Sequence, residues 1–452
     1  MGSTGTVRRR GQTVATPRYQ QISVLTMNTM AFTVCFAVWV MFSIIGIPLK
    51  EDLGLSETEF GILVAMPILT GSLIRLPLGM LTDRFGGRIV FTVLMLLTIV
   101  PIWMVSTLEH YWALLIAGLF VGIAGGSFSV GISATARWFE KRNQGFAMGI
   151  FGAGNAGAAL TKFVAPTLVV AYGWQMVPRV YAVAMAVMVV LYWFFTFKEP
   201  ASHLVAKTVT VREQLSALKD PTVWKYCQYY SLVFGGYVGV SLWMTKYYIT
   251  EYGIGIQVAA LLAAIFVLPS GVIRALGGWL SDRFGAHTVT WWVMWTSLIC
   301  LFYMAYPQTQ LSIRTVDGGS LDFTFGGNIY LFTAALFVMG IAWGFGKASV
   351  FKYIANEYPE NIGVISGIVG LVGGLGGFLL PIMFGALVDF FQFSQVVWWL
   401  LFGVTGVSLI WMWWTERKPV MHAAQAGGLG KGATRISNQR PATDNGATRH
   451  GR

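Results

Sequence analysis

Along the chain, apolar residues gather into twelve long runs, at approximately 26–49, 60–81, 88–107, 111–136, 145–171, 175–197, 224–250, 258–280, 287–306, 328–355, 362–389 and 394–415, with polar residues largely confined to the gaps between them. Crossing a hydrocarbon core of about 30 Å takes roughly 20 residues of helix. The runs have that reach, so the pattern predicts an all-α membrane protein with twelve transmembrane helices. The first run is preceded by Arg8, Arg9, Arg10 and Arg18, as in a signal peptide, but it continues to Leu49 without a small-residue cleavage pattern. It is expected to be retained as the first helix.

The polar gaps then set the orientation. Lys and Arg concentrate in alternate gaps: Arg84 and Arg88; Arg137, Lys141 and Arg142; Lys198, Lys207, Arg212 and Lys219; Arg283; Arg417 and Lys418. The other gaps hold few, and carry acids such as Glu51, Asp52 and Glu109. By the positive-inside rule both termini are expected to be cytoplasmic, in a multi-pass protein of the bacterial inner membrane. Residues 1–25 read as a cytoplasmic tail, 198–222 as a polar cytoplasmic linker, and 416–452, rich in Gly, Arg, Asn and Thr, as a disordered cytoplasmic tail. The linker divides the chain into halves at 26–197 and 223–415.

Composition agrees with this reading. The chain is 55% hydrophobic and 11% charged, against about 25% charged residues in an ordinary soluble domain. The formal net charge of +12 sits in tails and short gaps, where it is an orientation signal rather than a nucleic-acid surface. Cys35, Cys227 and Cys300 lie in or beside apolar runs with neither paired nor metal-like spacing. No metal or other cofactor is expected.

The halves repeat each other. R-L-P-L-G-M-L-T-D-R-F-G from Arg75 matches R-A-L-G-G-W-L-S-D-R-F-G from Arg274, 199 residues on. A second match lies at an offset of 218, pairing Gly122 with Gly340 and continuing to Gly145, Gly149 and Gly152 against Gly363, Gly367 and Gly370. The 19-residue difference fits an insertion in the outer loop around Pro307–Gly327. Two pseudo-symmetric six-helix bundles follow from the duplication.

Arg75 and Arg274 are the chemically informative pair. Each sits eight residues from the Asp83 or Asp282 border of its helix, or about 12 Å into the membrane at 1.5 Å per residue. A buried arginine is usually neutralised by a buried acid, but no Asp or Glu falls in the middle of any apolar run. A charge at this depth is a functional hypothesis by default. Two planar guanidiniums facing one axis suit a small, flat oxyanion with several acceptors, and nitrate has that shape.

Depth counting brings Phe128, Asn155, Phe234 and Gly373 to the same level, and Tyr230 shares one helix face with Phe234 at i, i+4. Taken singly, such residues are more often packing than ligands. Two glycine-rich helices, at 149–166 and 367–381, complete the set. Gly152, Gly154 and Gly157 satisfy G-x-G-x-x-G, but neither a preceding strand nor a following acid supports a nucleotide fold. Close packing of small-residue helices explains them, and it also brings backbone near a substrate.

The G-x-x-x-D-R-x-G-x-R pattern at Gly79, Asp83, Arg84, Gly86 and Arg88, echoed at Gly278–Gly285 with Asp282 and Arg283 but without the final basic residue, resembles the signature loop of the major facilitator superfamily. That resemblance covers nearly the whole chain. It implies twelve helices and alternating access. With the paired arginines, the glycine-rich segments resemble the nitrate signatures of the nitrate/nitrite porter family, the NarK-type branch. By that resemblance Arg75 and Arg274 would clamp the anion, Asn155 and Tyr230 would donate hydrogen bonds, Phe128 and Phe234 would sandwich its flat face, and Gly154 and Gly373 would bring backbone close.

Moving an anion into a negative-inside cell costs roughly 2.3 kcal/mol per 100 mV, so import needs a coupled cation or an exchanged anion. Lys347, ten residues from Glu357, falls near the midplane, and Lys162 lies further outward. Buried lysines exchange protons, whereas Lys162 could also snorkel. Nitrate/proton symport is the expected function, with nitrate/nitrite exchange as the alternative. The expected partners are nitrate, nitrite as a second anion, protons and the lipid bilayer, with the protein a monomer. No metalloprotease motif, nucleophile elbow or Cys/His cluster points to an enzyme. A channel fits two packed repeats around one charged site less well than a rocking carrier does, and a transport-dead receptor is separable only by an uptake measurement.

Overall fold

The computed structural model describes residues 17–199, 211–358 and 362–428. Among them the helices assemble into twelve rods: α1 (Arg18–Leu53), α2 (Glu57–Leu73 and Arg75–Phe85), α3 (Gly87–Val105), α4 (Tyr111–Trp138), α5 (Lys141–Gly152, Ala153–Ala156 and Gly157–Tyr172), α6 (Met176–Phe195), α7 (Pro221–Tyr230, Ser231–Gly235 and Gly236–Tyr252), α8 (Ile256–Val272 and Arg274–Phe284), α9 (Ala286–Ala305), α10 (Ile329–Glu357), α11 (Ile362–Phe391) and α12, which spans Val396–Thr415. Eight helices are long and apolar enough to cross a membrane, and ten when the bent pairs α2 and α8 each count once. The other two rods, α5 and α7, are interrupted by a 3₁₀ turn and a π turn, so no single piece of either reaches spanning length. All three cysteines are buried and free.

The rods up to Leu409 belong to one compact unit, and the stretch from Ile410 is a second, helical as far as Gly428. The expected tail beyond 428, the N-terminal tail before residue 17 and the middle of the linker, 200–210, lie outside the described residues. In the described part of the linker, Val211–Ser216 is a short helix.

Local chemistry fixes where the rods stop. In both repeats of D-R-F-G the glycine closes the helix at positive φ, 85° at Gly86 and 88° at Gly285, a conformation a side chain would strain. Ser56 and Glu59 form a reciprocal capping box that starts α2. Asn328 caps α10 by accepting from the backbone N–H groups of Tyr330 and Leu331. The insertion expected near Pro307–Gly327 is a hairpin, β1 (Thr309–Arg314) paired antiparallel with β2 (Ser320–Phe325), with Leu311 opposite Phe323 and Ile313 opposite Leu321.

Polar contacts between the halves gather at the end of the rods that carries Leu53, Glu57 and the hairpin, called here the far end. Asp389 of α11 accepts from the backbone N–H of Glu57 and Thr58 at 3.1 and 2.8 Å, and Lys246 of α7 forms an ion pair with Glu57 of α2. Gly61 lies so close to α11 that a Cβ there would stand 2.3 Å from the Pro381 carbonyl oxygen. Backbones meet this closely only where glycine removes the side chain. At the opposite, near end no ion pair among the described residues joins one half to the other. Arg137 bridges Asp83 (2.7 Å) and Glu199 (2.8 Å), while Lys352 pairs with Asp282 (2.6 Å).

The remaining signature residues flank these bridges. Arg88 donates to the Trp193 carbonyl at 2.7 Å, Arg84 lies over Phe85, and Arg283 lies over Trp279 and Phe284. Gly79 faces open space.

Candidate functional site

Arg75 and Arg274 each stand immediately after a break in a rod. The α2 pieces meet at 41° and the α8 pieces at 50°. In α2 the cause is Pro77, whose ring clashes with the carbonyl four residues back, at Leu73. In α8 no proline stands at the equivalent position, Leu276; the bend lies between Gly271 and Gly277, one turn beyond Pro269. Both arginines therefore occupy the first position of a new helical piece.

Their side chains converge on one ring. The Arg75 guanidinium carbon lies 5.3 Å from the Phe128 ring centre, and that of Arg274 lies 5.6 Å from the same centre. Arg75 is only 4% exposed. It also lies over Phe234 (5.1 Å) and Trp39 (5.6 Å), and its Nη1 donates to the Gly370 carbonyl of α11 at 3.2 Å. Arg274 lies over Phe351 at 5.5 Å. Phe128 and Phe234, expected to flank an anion, both flank Arg75.

Tyr230 and Phe234 stack with ring centres 5.1 Å apart and planes 12° from parallel. The π turn Ser231–Gly235 begins directly after Tyr230 and carries Phe234, and such turns recur at functional sites. Gly373 makes room for Tyr230, since a Cβ there would meet its ring at 2.4 Å. Gly154 packs instead against Phe32 of α1. Asn155, wholly buried in the 3₁₀ turn of α5, lies against Gly271, one turn before Arg274.

Several polar atoms here are buried with no hydrogen-bond partner among the described residues: Arg75 Nε, Arg274 Nη1, Asn155 Nδ2 and Oδ1, and Lys347 Nζ. The Tyr230 hydroxyl lies beside both guanidiniums, and Arg274 comes within hydrogen-bonding reach of it. Buried polar groups are normally satisfied. Among the described residues, no carboxylate forms an ion pair with Arg75, Arg274 or Lys347. The cluster is an excess of positive charge and N–H donors in an aromatic box, and an anion would supply what it lacks. Among the described residues no group of acids, histidines and cysteines could hold a metal ion.

The two lysines differ. Lys347 is fully buried, with Nζ 3.6 Å from the centre of the Tyr237 ring. Lys162 is 1% exposed and donates to Ser43 Oγ (2.9 Å) and Thr245 Oγ1 (3.0 Å). Trp39, Tyr237, Phe351 and the Gly370 carbonyl were not among the sequence-derived candidates. Only Phe351 carried a signal, standing one helical turn from Lys347 on the same face.

Residues 27–320 match the family model described as Major Facilitator Superfamily. The chain is 38% identical over 422 residues to the probable nitrate/nitrite antiporter NarK1 of Thermus thermophilus, covering 90% of this chain and 94% of that protein. It is 29% identical to the nitrite extrusion protein of Bacillus subtilis (strain 168), covering 87% and 95%. The solved structure of the nucleoside transporter NupG superposes with a TM-score of 0.68 at 13% identity, over 87% of this chain and 98% of that one, a likeness of fold alone. Duplicated halves, the repeated signature loop and these matches agree: the chain belongs to the major facilitator superfamily and, within it, to the nitrate/nitrite porter family.

Proposed function

We propose that this protein carries nitrate, with nitrite as a related substrate, into the cell by alternating access, coupled to protons, and that it does so as a monomer in the bacterial inner membrane. The observation that carries the reading is the convergence of Arg75 and Arg274 on Phe128 with unpartnered N–H groups and no ion-pairing acid among the described residues. A flat trigonal anion accepts from both guanidiniums and from the Asn155 amide at once, while Phe128 and Phe234 exclude water beside it. The names of the relatives, a nitrate/nitrite antiporter and a nitrite extrusion protein, support the same substrate class. The near end is cytoplasmic on this reading, because the Lys- and Arg-rich gaps lie there.

Proton coupling rests on Lys347. Guanidiniums keep their protons at any physiological pH, whereas an amine can give one up. Lys347 Nζ has no hydrogen-bond partner among the described residues and rests instead on the face of the Tyr237 ring. In an exchanger, by contrast, two permanent charges would make the empty site slow to reorient, and only an anion would release it. The fixed arginine pair favours that second reading, nitrate/nitrite exchange. Flux of labelled nitrate into proteoliposomes with an imposed pH gradient, with and without internal nitrite, tests both. Accumulation driven by pH alone supports symport; flux that requires internal nitrite supports exchange; no nitrate flux in either condition refutes the proposal.

A further inference from the structure

Lys162 occupies a second cluster of donors, between the halves and apart from the arginines. It stands seven residues beyond Asn155 on α5, about 10 Å further toward the far end at 1.5 Å per residue. Its ammonium is buried, and its two partners are neutral hydroxyls, Ser43 of α1 and Thr245 of α7. The next residue on α7 makes the contrast, since Lys246 pairs with Glu57. Among the described residues no carboxylate lies within ion-pair distance of Lys162.

The cluster holds more donors than acceptors. An ammonium has three N–H groups, and two are used here. Because Ser43 and Thr245 accept through oxygen, each keeps a hydroxyl proton to donate, and neither has an acceptor among the described residues. Three unspent donors and one uncompensated positive charge thus meet where α1 and α5 of one half face α7 of the other. An opening of the far end would leave Ser43 and Lys162 together in one half and draw Thr245 away with the other, freeing a further ammonium N–H.

We propose that Lys162, with Ser43 and Thr245, forms a second anion subsite on the far side of the arginine pair, which captures a small monovalent oxyanion as it enters and whose Lys162–Thr245 bond latches the far end once the anion has moved inward. This rests on the nitrate-carrier reading and adds a residue that sets access from one face.

The test measures nitrate KM separately at the two faces of the full-length protein, using right-side-out and inside-out membrane vesicles, for Lys162→Met, Lys162→Arg and Thr245→Val. Removing the charge is expected to raise KM at the far face by about tenfold, the scale of one charge-assisted hydrogen bond, with KM at the near face unchanged. Lys162→Arg should restore most of the far-face value. Nitrate binding to the purified Lys162→Met protein shows whether its central site is folded. Unchanged KM at both faces, or equal shifts at both, overturns the subsite while leaving the carrier reading intact. A Lys162→Met protein that no longer binds nitrate transfers the decision to Thr245→Val, for which the same far-face shift is expected and its absence overturns the subsite. Loss of all nitrate flux in the unaltered protein refutes the carrier reading and the subsite together.

Discussion

The ammonium of Lys347 lies 3.6 Å from the centre of the Tyr237 ring. A desolvated contact of this kind is worth about 2 kcal/mol, and the Tyr237 hydroxyl in turn reaches the Asn155 carbonyl at 3.5 Å. The proposed proton carrier and the wall of the anion site thus share one side chain. Lys347→Gln is expected to keep nitrate/nitrite exchange and lose pH-driven accumulation; normal accumulation in that variant would reject the assignment.

Arg75→Ala and Arg274→Ala should each weaken nitrate binding by at least about 100-fold, the scale of losing a charged, partly desolvated partner. Arg→Lys at either position should also fail, because an ammonium lacks the planar fork. Calorimetry on the purified variants decides it. Near wild-type affinity in either alanine variant would remove the clamp.

Phe128 supports both arginines, so replacing it should act on the two together. Phe128→Leu keeps apolar bulk and removes the π face, and is expected to reduce nitrate affinity by roughly tenfold, consistent with about 0.5–1 kcal/mol for each cation–π contact. Adding Arg274→Ala to Phe128→Leu should then cost less than Arg274→Ala alone. Strict additivity in that double-mutant cycle would show that the ring does not couple to the arginine.

Gly61→Ala places a Cβ 2.3 Å from the Pro381 carbonyl oxygen, so α2 and α11 can no longer close at the far end as they do here. Overpacking of this sort costs typically 1–3 kcal/mol. We expect turnover to fall at least tenfold while nitrate affinity stays within about threefold, since the residue lies away from the arginines. Wild-type turnover would mean that this closure is not part of the cycle.

At the near end, the Tyr358 hydroxyl donates to Asp220 at 2.6 Å, and the Thr222 N–H donates to the same carboxylate at 2.8 Å. The Tyr358 bond first, and the Thr222 bond after it, hold the Asp220 carboxyl below the usual carboxylate range. The stabilisation is therefore present above about pH 4, the ordinary aspartate value, and is lost as pH falls through the lowered one. Tyr358→Phe should move that loss to higher pH, visible as earlier loss of hydrogen-exchange protection at the Thr222 amide. An unshifted profile would show that the phenol does not hold the carboxylate.

The arginines were legible in the sequence because a charge inside an apolar run is conspicuous, and the repeat put both at one depth. The aromatic box was legible only in part. With 31 Phe, 17 Tyr and 18 Trp in the chain, one more aromatic residue in a helix carries no signal, so Trp39 and Tyr237 emerge only from packing. The bend at Arg75 was written in Pro77, whereas the matching bend at Arg274 has no proline at that place and depends on tertiary contacts. The hairpin had a readable signature, since T-Q-L-S-I-R and S-L-D-F-T-F alternate around Asp317, Gly318 and Gly319. Sequence comparison of the halves located it only as an insertion.

The repeat is symmetric in charge but not in shape. The position matching Phe128 in the second half is Gly346, where even a methyl group would collide with Val233 and Val293. The ring that both arginines share therefore belongs to the half of Arg75, although Arg75 also reaches Phe234 and the Gly370 carbonyl of the other half. Arg274 crosses to that ring from the other half, so a separation of the halves would take it off Phe128 and leave it beside Phe351. Of two residues that look interchangeable in the sequence, one would keep the shared ring through such a separation and the other would lose it.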